Sequence, residues 1–403
     1  MLPSAESVHG EVVAWLAANP WREVDRREWL RRVRDERWAV PTWPSDWFGR
    51  GWPKSLSRVV AQAFAEVGAP GAGQDEMNLW ANTALAFGSD DLKERFIGPL
   101  LADELHFCLL YSEPGAGSDL AGLQTRADRD GDDWVVNGQK VWTSGAQVAE
   151  YGMLIARTDW DVPKHRGLTF FFLPMRQPGV DVRPLRQITG EQHFNELFMT
   201  DARVPDVNRL GSPGDGWRVL QTALAYERAL MGVADRAPGR SRDRGAPVLA
   251  QPAPDPVWES STNLVALARS VGRWDDPVIR QEVARVYSLR RVNAWNGSRA
   301  TAALKQGSSS PLVSLGKLAM SRIVHESARV EAAVVGSDAL LVGDENPRGE
   351  AASFHALNAF FTSIGGGTDQ IQRNIIGERV LGLPKEPDLD RDIPFRDVRK
   401  ASR

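Results

Sequence analysis

Cysteine is almost absent from this chain: Cys108 is the only one in 403 residues. That excludes an internal disulfide and any cysteine-rich metal site. Cys108 lies in the apolar run Phe107–Tyr111, which predicts a buried, inert thiol. The six histidines are scattered without metal-ligand spacing. Lysine is scarce too, 8 against 41 arginines, a bias expected of a GC-rich bacterial genome. No stretch approaches 18 consecutive apolar residues, so no membrane span is expected. The first residues lack a basic start and a long apolar core, so no secretory signal is expected and the cytoplasm is the anticipated compartment. A net charge of −3 leaves no electrostatic footprint for nucleic acid. P-loop, Gly-x-Ser-x-Gly and strand-linked Gly-x-Gly-x-x-Gly patterns are missing.

The residues present suggest two or three domains, given the length. Apolar residues make up 42% and charged residues 25%, an ordinary globular balance. Residues 1–108 carry apolar residues at helical spacing, in Val12–Ala18, Trp29–Val40, Leu56–Gly68 and Glu94–His106. Residues 109–213 change to strand character. Trp134–Val136 and Lys140–Trp142, flanking Asn137-Gly138, predict a tight hairpin. Residues 151–157, 167–174 and 196–204 are further strand candidates. Helical periodicity returns from Gly216 and holds to about residue 383, interrupted by a Pro/Gly/Arg-rich stretch at 236–262 that is expected to be a mobile surface loop. Helices, then a small β-barrel or sandwich, then a helical bundle make a multidomain α+β chain with expected parts 1–108, 109–213 and 214–403.

Two motifs stand out. Residues 111–119 read Tyr-Ser-Glu-Pro-Gly-Ala-Gly-Ser-Asp, a turn whose small residues let a ligand reach the backbone. Residues 365–383 begin with three glycines before a helix, leaving backbone N–H groups free for anions and ring carbonyls. With the intervening Asn137–Ala146 stretch, these motifs resemble the flavin-binding signatures of the acyl-CoA dehydrogenase family. The likeness runs over roughly 30–385.

The resemblance implies a three-domain fold, bound FAD, an acyl-CoA substrate, and electron-transfer flavoprotein as acceptor. It implies that Leu109, Tyr111, Ser112, Gly117 and Ser118 line the flavin and the CoA entrance. Trp142, Thr143 and Ser144 would contact the flavin ring, Ser118 would also meet the pantetheine arm, and Thr368 and Gln370 would be flavin contacts. Where many members carry a catalytic glutamate, this chain has Gly366-Gly367-Thr368. Gly366 would then contribute only a backbone N–H to the thioester carbonyl.

Abstraction of a proton α to a thioester needs a carboxylate made more basic by burial. Trp217, Leu220, Leu224 and Met231 form an apolar stripe, and Glu227 falls on it. A carboxylate on such a stripe is either paired or functional. The placement resembles the isovaleryl and long-chain branches of the family, in which the base comes from this helix. Arg228 stands where the family has an arginine that contacts CoA or orders the helix.

Two departures concern the adenine end of FAD. The family's Arg-x-x-Phe-Gly and Gln-x-x-Gly-Gly runs are replaced by Ser270–Gln281 and by Ala333-Val334-Val335-Gly336-Ser337. Similar losses occur in bacterial members that work as mixed tetramers. A homotetramer, a subunit requiring a different partner chain for FAD, an acyl-CoA oxidase, and a flavin-fold protein without dehydrogenation all remain open.

Overall fold

The computed structural model describes residues 2–233, 264–305, 312–387 and 390–398, so the stretch 236–262 lies outside the described residues. The chain packs into two units. The first comprises 1–185, 192–251 and 389–403, and the second 186–191 and 252–388.

The first unit opens with helices α1 (Ala5–Ala18), α2 (Arg26–Asp35) and α3 (Lys54–Val67). Ser4 and Asp25 cap the first two by accepting from Ser7 and from Arg27 and Glu28. Gly68, left-handed, ends the third. Val8, Val12 and Leu16 form the buried stripe of α1 and pack with Trp29, Val33, Val60 and Phe64. Short α4 (Gln74–Met77) leads to α5 (Leu79–Phe87) and α6 (Asp90–Leu101). The helix expected over 94–106 stops at Leu101, and Asp103 adopts a positive φ of 58°.

An eight-stranded sheet follows: β1 (Phe107–Leu110), β2 (Arg126–Asp130), β3 (Asp133–Ser144), β4 (Tyr151–Arg157), β5 (Leu168–Pro174), β6 (Val180–Leu185), β7 (Phe194–Pro205) and β8 (Arg209–Leu210). The order is β6-β7-β3-β2-β4-β5-β8, with β1 parallel to β4. Strands β4 and β5 are buried on both faces. Met153, Ile155, Phe170 and Phe172 face the helical core, while Leu154, Ala156, Phe171 and Leu173 join a second core. Phe96 of α6 packs edge-on to Phe172 at 5.1 Å, and Phe107 does so at 4.7 Å. These ring contacts explain why the N-terminal helices and the sheet form one unit. Cys108 is buried there, and burial pushes its thiol well above the usual range.

The hairpin expected at Asn137-Gly138 is not formed; β3 runs straight through it. The turn lies one strand earlier, at Gly131-Asp132, with Asp130 opposite Asp133 and Gly131 at φ +62°. Both dipeptides, Asp132's Asp-Gly predecessor and Asn137-Gly138, carry the same turn chemistry, but only the first is flanked by strands that pair. At Asn137 the β3–β7 register shifts, and its side chain exchanges bonds of 3.0 and 2.9 Å with Asp201. Gly138 is required because a Cβ there would lie 2.5 Å from Thr125 Oγ1.

Helix α7 (Gly216–Val233) ends the described part of this unit's main body. Its Val219, Leu220 and Ala223 are buried in the N-terminal core, so by packing α7 groups with unit one rather than with the later helices.

The second unit contains α8 (Leu264–Ser270), α9 (Pro277–Lys305), α10 (Leu312–Val335), α11 (Pro347–Ile364) and α12 (Asp369–Arg379). Helix α10 packs against the other four. Its apolar faces are therefore engaged within the unit and are not by themselves an assembly surface.

Candidate active site

The loop 111–119 is held from beneath by a buried ion pair that the sequence reading did not single out. Lys140 on β3 donates to Tyr111 O at 3.0 Å and to Glu113 Oε1 at 2.9 Å. Glu113 also accepts from Gln124 N at 2.7 Å and Thr125 N at 2.9 Å. Burial pushes the Glu113 carboxyl up, but the Lys140 charge and the bonds from Thr125 and Gln124 outweigh it and hold the group below its usual range. Burial pushes the Lys140 ammonium down, and Glu113 offsets this in part. Above the pair, Val141 N donates to Ser112 O at 2.9 Å, and Glu113 and Ala116 exchange backbone bonds of 3.0 and 3.1 Å. A rigid turn results. Tyr111 is buried, Leu109 and Ser112 are half-buried, and Gly117 and Ser118 are exposed. A Cβ on Gly117 would meet nothing within 4 Å, so the surface over the turn is open to a ligand.

Beside this loop, the register of β3 against β7 slips between Lys140↔Leu197 and Thr143↔Asn195. The extra residue is accommodated by Trp142 at φ +62°. Its side chain is 61% exposed, with its ring edge-on to Phe194 at 6.0 Å. Left-handed backbone at a bulky residue costs about 1–3 kcal/mol and is tolerated mainly where function needs it. An exposed indole held in that conformation fits a flat aromatic ligand. Thr143 is buried, and its carbonyl accepts from Asn195 Nδ2 at 2.9 Å. Ser144 is half-buried. Asn195, buried and joined also to Gln147 at 2.7 Å, fixes this bulge; an asparagine among strand residues gave no sequence signal.

In the second unit, Gly365–Gly367 connects α11 to α12, with Gly366 at φ +65° and Gly367 at φ +88°. Thr368 caps α12, its hydroxyl accepting from Ile371 N at 3.2 Å. Gln370 is exposed, whereas Gln372 is buried and donates to Gly366 O at 3.2 Å. A Cβ on Gly367 would lie 2.9 Å from Gln372 Nε2. Among the described residues the Gly366 N–H has no acceptor. Lys317 staples the two helix ends, donating to Thr362 O at 2.6 Å and to Asp369 at 3.4 Å. Ser321 bridges Asp369 and Ser363 at 2.9 Å each, and His325 bonds Ser363 at 2.7 Å.

The two departures noted in the sequence meet in this unit. Arg273 donates through Nη1 to Ala333 O at 2.6 Å and through Nη2 to Asp276 at 3.0 Å. Its guanidinium is thus engaged within its own unit. Glu227 and Arg228 lie on α7, where Leu220 is buried and Trp217 and Leu224 are half-buried, but their side chains fall outside the described residues.

Comparison with known proteins identifies the family. Residues 108–202 match the family model described as acyl-CoA dehydrogenase, middle domain, and 259–381 the model described as acyl-CoA dehydrogenase, C-terminal domain. The acyl-CoA dehydrogenase IpdE1 of Mycobacterium tuberculosis is 35% identical, the match covering 96% of this chain and 99% of that protein. The acyl-CoA dehydrogenase FadE26 of the same organism is 32% identical over 89% and 88%. Among solved structures, the ChsE4-ChsE5 complex from M. tuberculosis contains a chain superposing with a TM-score of 0.67 at 28% identity, covering 96% of this chain and 99% of that one.

Proposed function

The chain belongs to the acyl-CoA dehydrogenase family, and from that premise we propose that it oxidises a CoA thioester to the trans-2-enoyl-CoA with FAD as its flavin and Glu227 as its base. It is an oxidoreductase acting on the CH–CH bond of an acyl-CoA. Bound flavin supplies the acceptor for the hydride that leaves the β carbon. The chain's own groups do the rest. Trp142 and the open turn at Gly117-Ser118 offer a surface for the flavin ring and the pantetheine arm, with Ser112 and Ser144 in the same unit, and Thr368 at the start of α12 is a further proposed flavin contact. The Gly366 N–H, in the loop that Gln372 braces through Gly366 O, is suited to the thioester oxygen, where enolate charge develops. Glu227 takes the α proton, and the neighbouring Arg228 is the proposed CoA contact.

The observation that carries the choice of base is Gly366. It has no side chain, and its left-handed backbone disfavours one. The base must come from another element, and Glu227 lies on the apolar stripe of α7. The test is anaerobic flavin reduction by an acyl-CoA series in Glu227→Gln. A fall of roughly two to four orders of magnitude is expected for loss of a positioned base. Reduction at the parental rate would remove Glu227 from the mechanism.

Electrons then pass to electron-transfer flavoprotein; rapid oxygen consumption would instead favour an oxidase. Among the described residues no helix is long and apolar enough to cross a membrane, and we place the reaction in the bacterial cytoplasm. We propose a tetramer built on the second unit's exposed apolar residues, including Tyr287 and Trp295 on α9 and Phe360 and Ile364 on α11. A second reading, a mixed tetramer whose partner chain completes the FAD site, is favoured by Arg273. In its bonds to Ala333 and Asp276 this guanidinium is committed to its own chain. The absorption spectrum of the protein purified alone separates the two, since a stoichiometric flavin band requires no partner.

A further inference from the structure

We infer that the C-terminal segment Pro394–Val398 is a strap that positions the substrate-facing loop 117–125, with Phe395 as the positioning residue acting through Arg157. The inference rests on the acyl-CoA reading above for what the loop faces, but not for the strap itself. The segment lies beyond the stretches matched by the family models.

Arg157 ends β4 and is completely buried. Its guanidinium gathers three carbonyls from two loops. Nε donates to Leu123 O at 3.2 Å, Nη2 to Ala121 O at 2.7 Å, and Nη1 to Lys164 O at 3.1 Å. Among the described residues its hydrogen bonds all go to carbonyls, and Glu113, Asp119 and Asp159 act on it only through space. Burial lowers its pKa to about 10, so it remains charged at neutral pH. A buried cation hydrogen-bonded only by carbonyls needs the flat face of its guanidinium covered, or water will compete for the same N–H groups. Phe395 supplies that cover: its ring centroid lies 3.4 Å from the guanidinium carbon.

The strap is anchored independently of that contact. Phe395 N donates to Val162 O at 2.9 Å and Arg396 N to Trp160 O at 3.0 Å. Arg396 pairs with Asp161, and Phe395 packs on Trp160 at 5.5 Å between centroids. The loop under the strap is tied forward as well. Lys164 donates to Asp119 at 3.1 Å, directly after Ser118. One line of contacts therefore runs from Phe395 through Arg157 and Lys164 to the loop carrying Gly117 and Ser118. At its far end the loop is fixed separately by Glu113 at Gln124 and Thr125. Loss of Phe395 should free the near part of the loop and leave the Glu113–Lys140 platform intact.

The test uses the full-length flavoprotein carrying Phe395→Ala, and a second protein ending after Pro387. Hydrogen–deuterium exchange reads the loop, and calorimetric titration with coenzyme A reads the entrance. Expected are faster exchange in 117–123 and 158–166 and a coenzyme A affinity about tenfold weaker, as for a contact loop that must be ordered on binding. Flavin content and the limiting rate of flavin reduction should stay within about twofold, so the effect falls on KM and not on kcat. Unchanged exchange at 117–123 in both variants overturns the strap. So does weaker binding accounted for wholly by unfolded or flavin-free protein. If the parent itself binds no coenzyme A while exchange still rises in the variant, the strap stands and the acyl-CoA reading of the loop fails.

Discussion

Lys140 Nζ and Glu113 Oε1 meet at 2.9 Å in the interior, beneath the turn that presents Gly117 and Ser118. Desolvation works against such a pair, and its bonds to Tyr111, Gln124 and Thr125 make it tolerable. Removing one partner leaves the other charged and buried. Lys140→Met is expected to cost about 3–5 kcal/mol in denaturant unfolding. The double variant Lys140→Met/Glu113→Gln should recover a large part of that loss. Equal instability of the single and double variants would show that the backbone bonds, not the charge pairing, carry the energy.

Trp142 sits at φ +62° on an exposed bulge, so its backbone strain is not offset by burial of its side chain. Glycine adopts that conformation freely. Trp142→Gly should therefore leave the melting temperature of the flavin-free protein unchanged or raised. Flavin affinity should fall by about twofold to tenfold, the range expected for one lost aromatic contact. Paired flavin-release and thermal-melting measurements check both signs at once.

Much of the frame was legible in the sequence. Strands β4 and β5 fall on the expected 151–157 and 167–174 because residues buried on both faces leave a nearly unbroken apolar run, and β7 covers 196–204 because its burial alternates along the strand. The hairpin was misplaced because Asn137-Gly138 has turn chemistry but sits in a strand whose partner, through Asp201, absorbs the irregularity. Local residues cannot report a neighbour 64 positions away. Lys140, Glu113, Arg157 and Gln372 escaped notice for the same reason: as letters they resemble surface polar residues, and only tertiary packing buries them. The glycine loop was legible because its conformation restricts the residue type itself.

Asp206 gives the sheet's edge a measurable acid dependence. It accepts from Arg209 at 2.8 Å and from Trp134 Nε1 at 2.7 Å, and the bond from Arg209 foremost lowers its pKa from 3.8 to about 2. A carboxyl with a depressed folded pKa stabilises above its unfolded pKa, and that contribution is lost as pH falls through the folded value. The wild-type protein should lose this stability between about pH 4 and about pH 2. Asp206→Asn should be less stable at neutral pH and show a shallower decline over the same window. Parallel stability–pH curves for the two proteins would assign the acid sensitivity elsewhere.

The positions 227 and 366 can be tested against each other. Gly366→Glu places a carboxylate where many family members have one, but at φ +65°, a conformation that costs an L-residue about 1–2 kcal/mol. Taken alone, the substitution should lower stability by about that amount. Combined with Glu227→Gln, it should restore part of the lost rate of flavin reduction, provided both positions face the α carbon. The recovery should stay incomplete, because a strained backbone holds the new base less well and the Gln372 bond to Gly366 O competes with its adjustment. Both single variants should retain flavin, which the visible spectrum reports before any kinetics are read. A double variant no faster than Glu227→Gln, with flavin bound and coenzyme A affinity unchanged, would separate the two positions in space and require that the base be sought on another element.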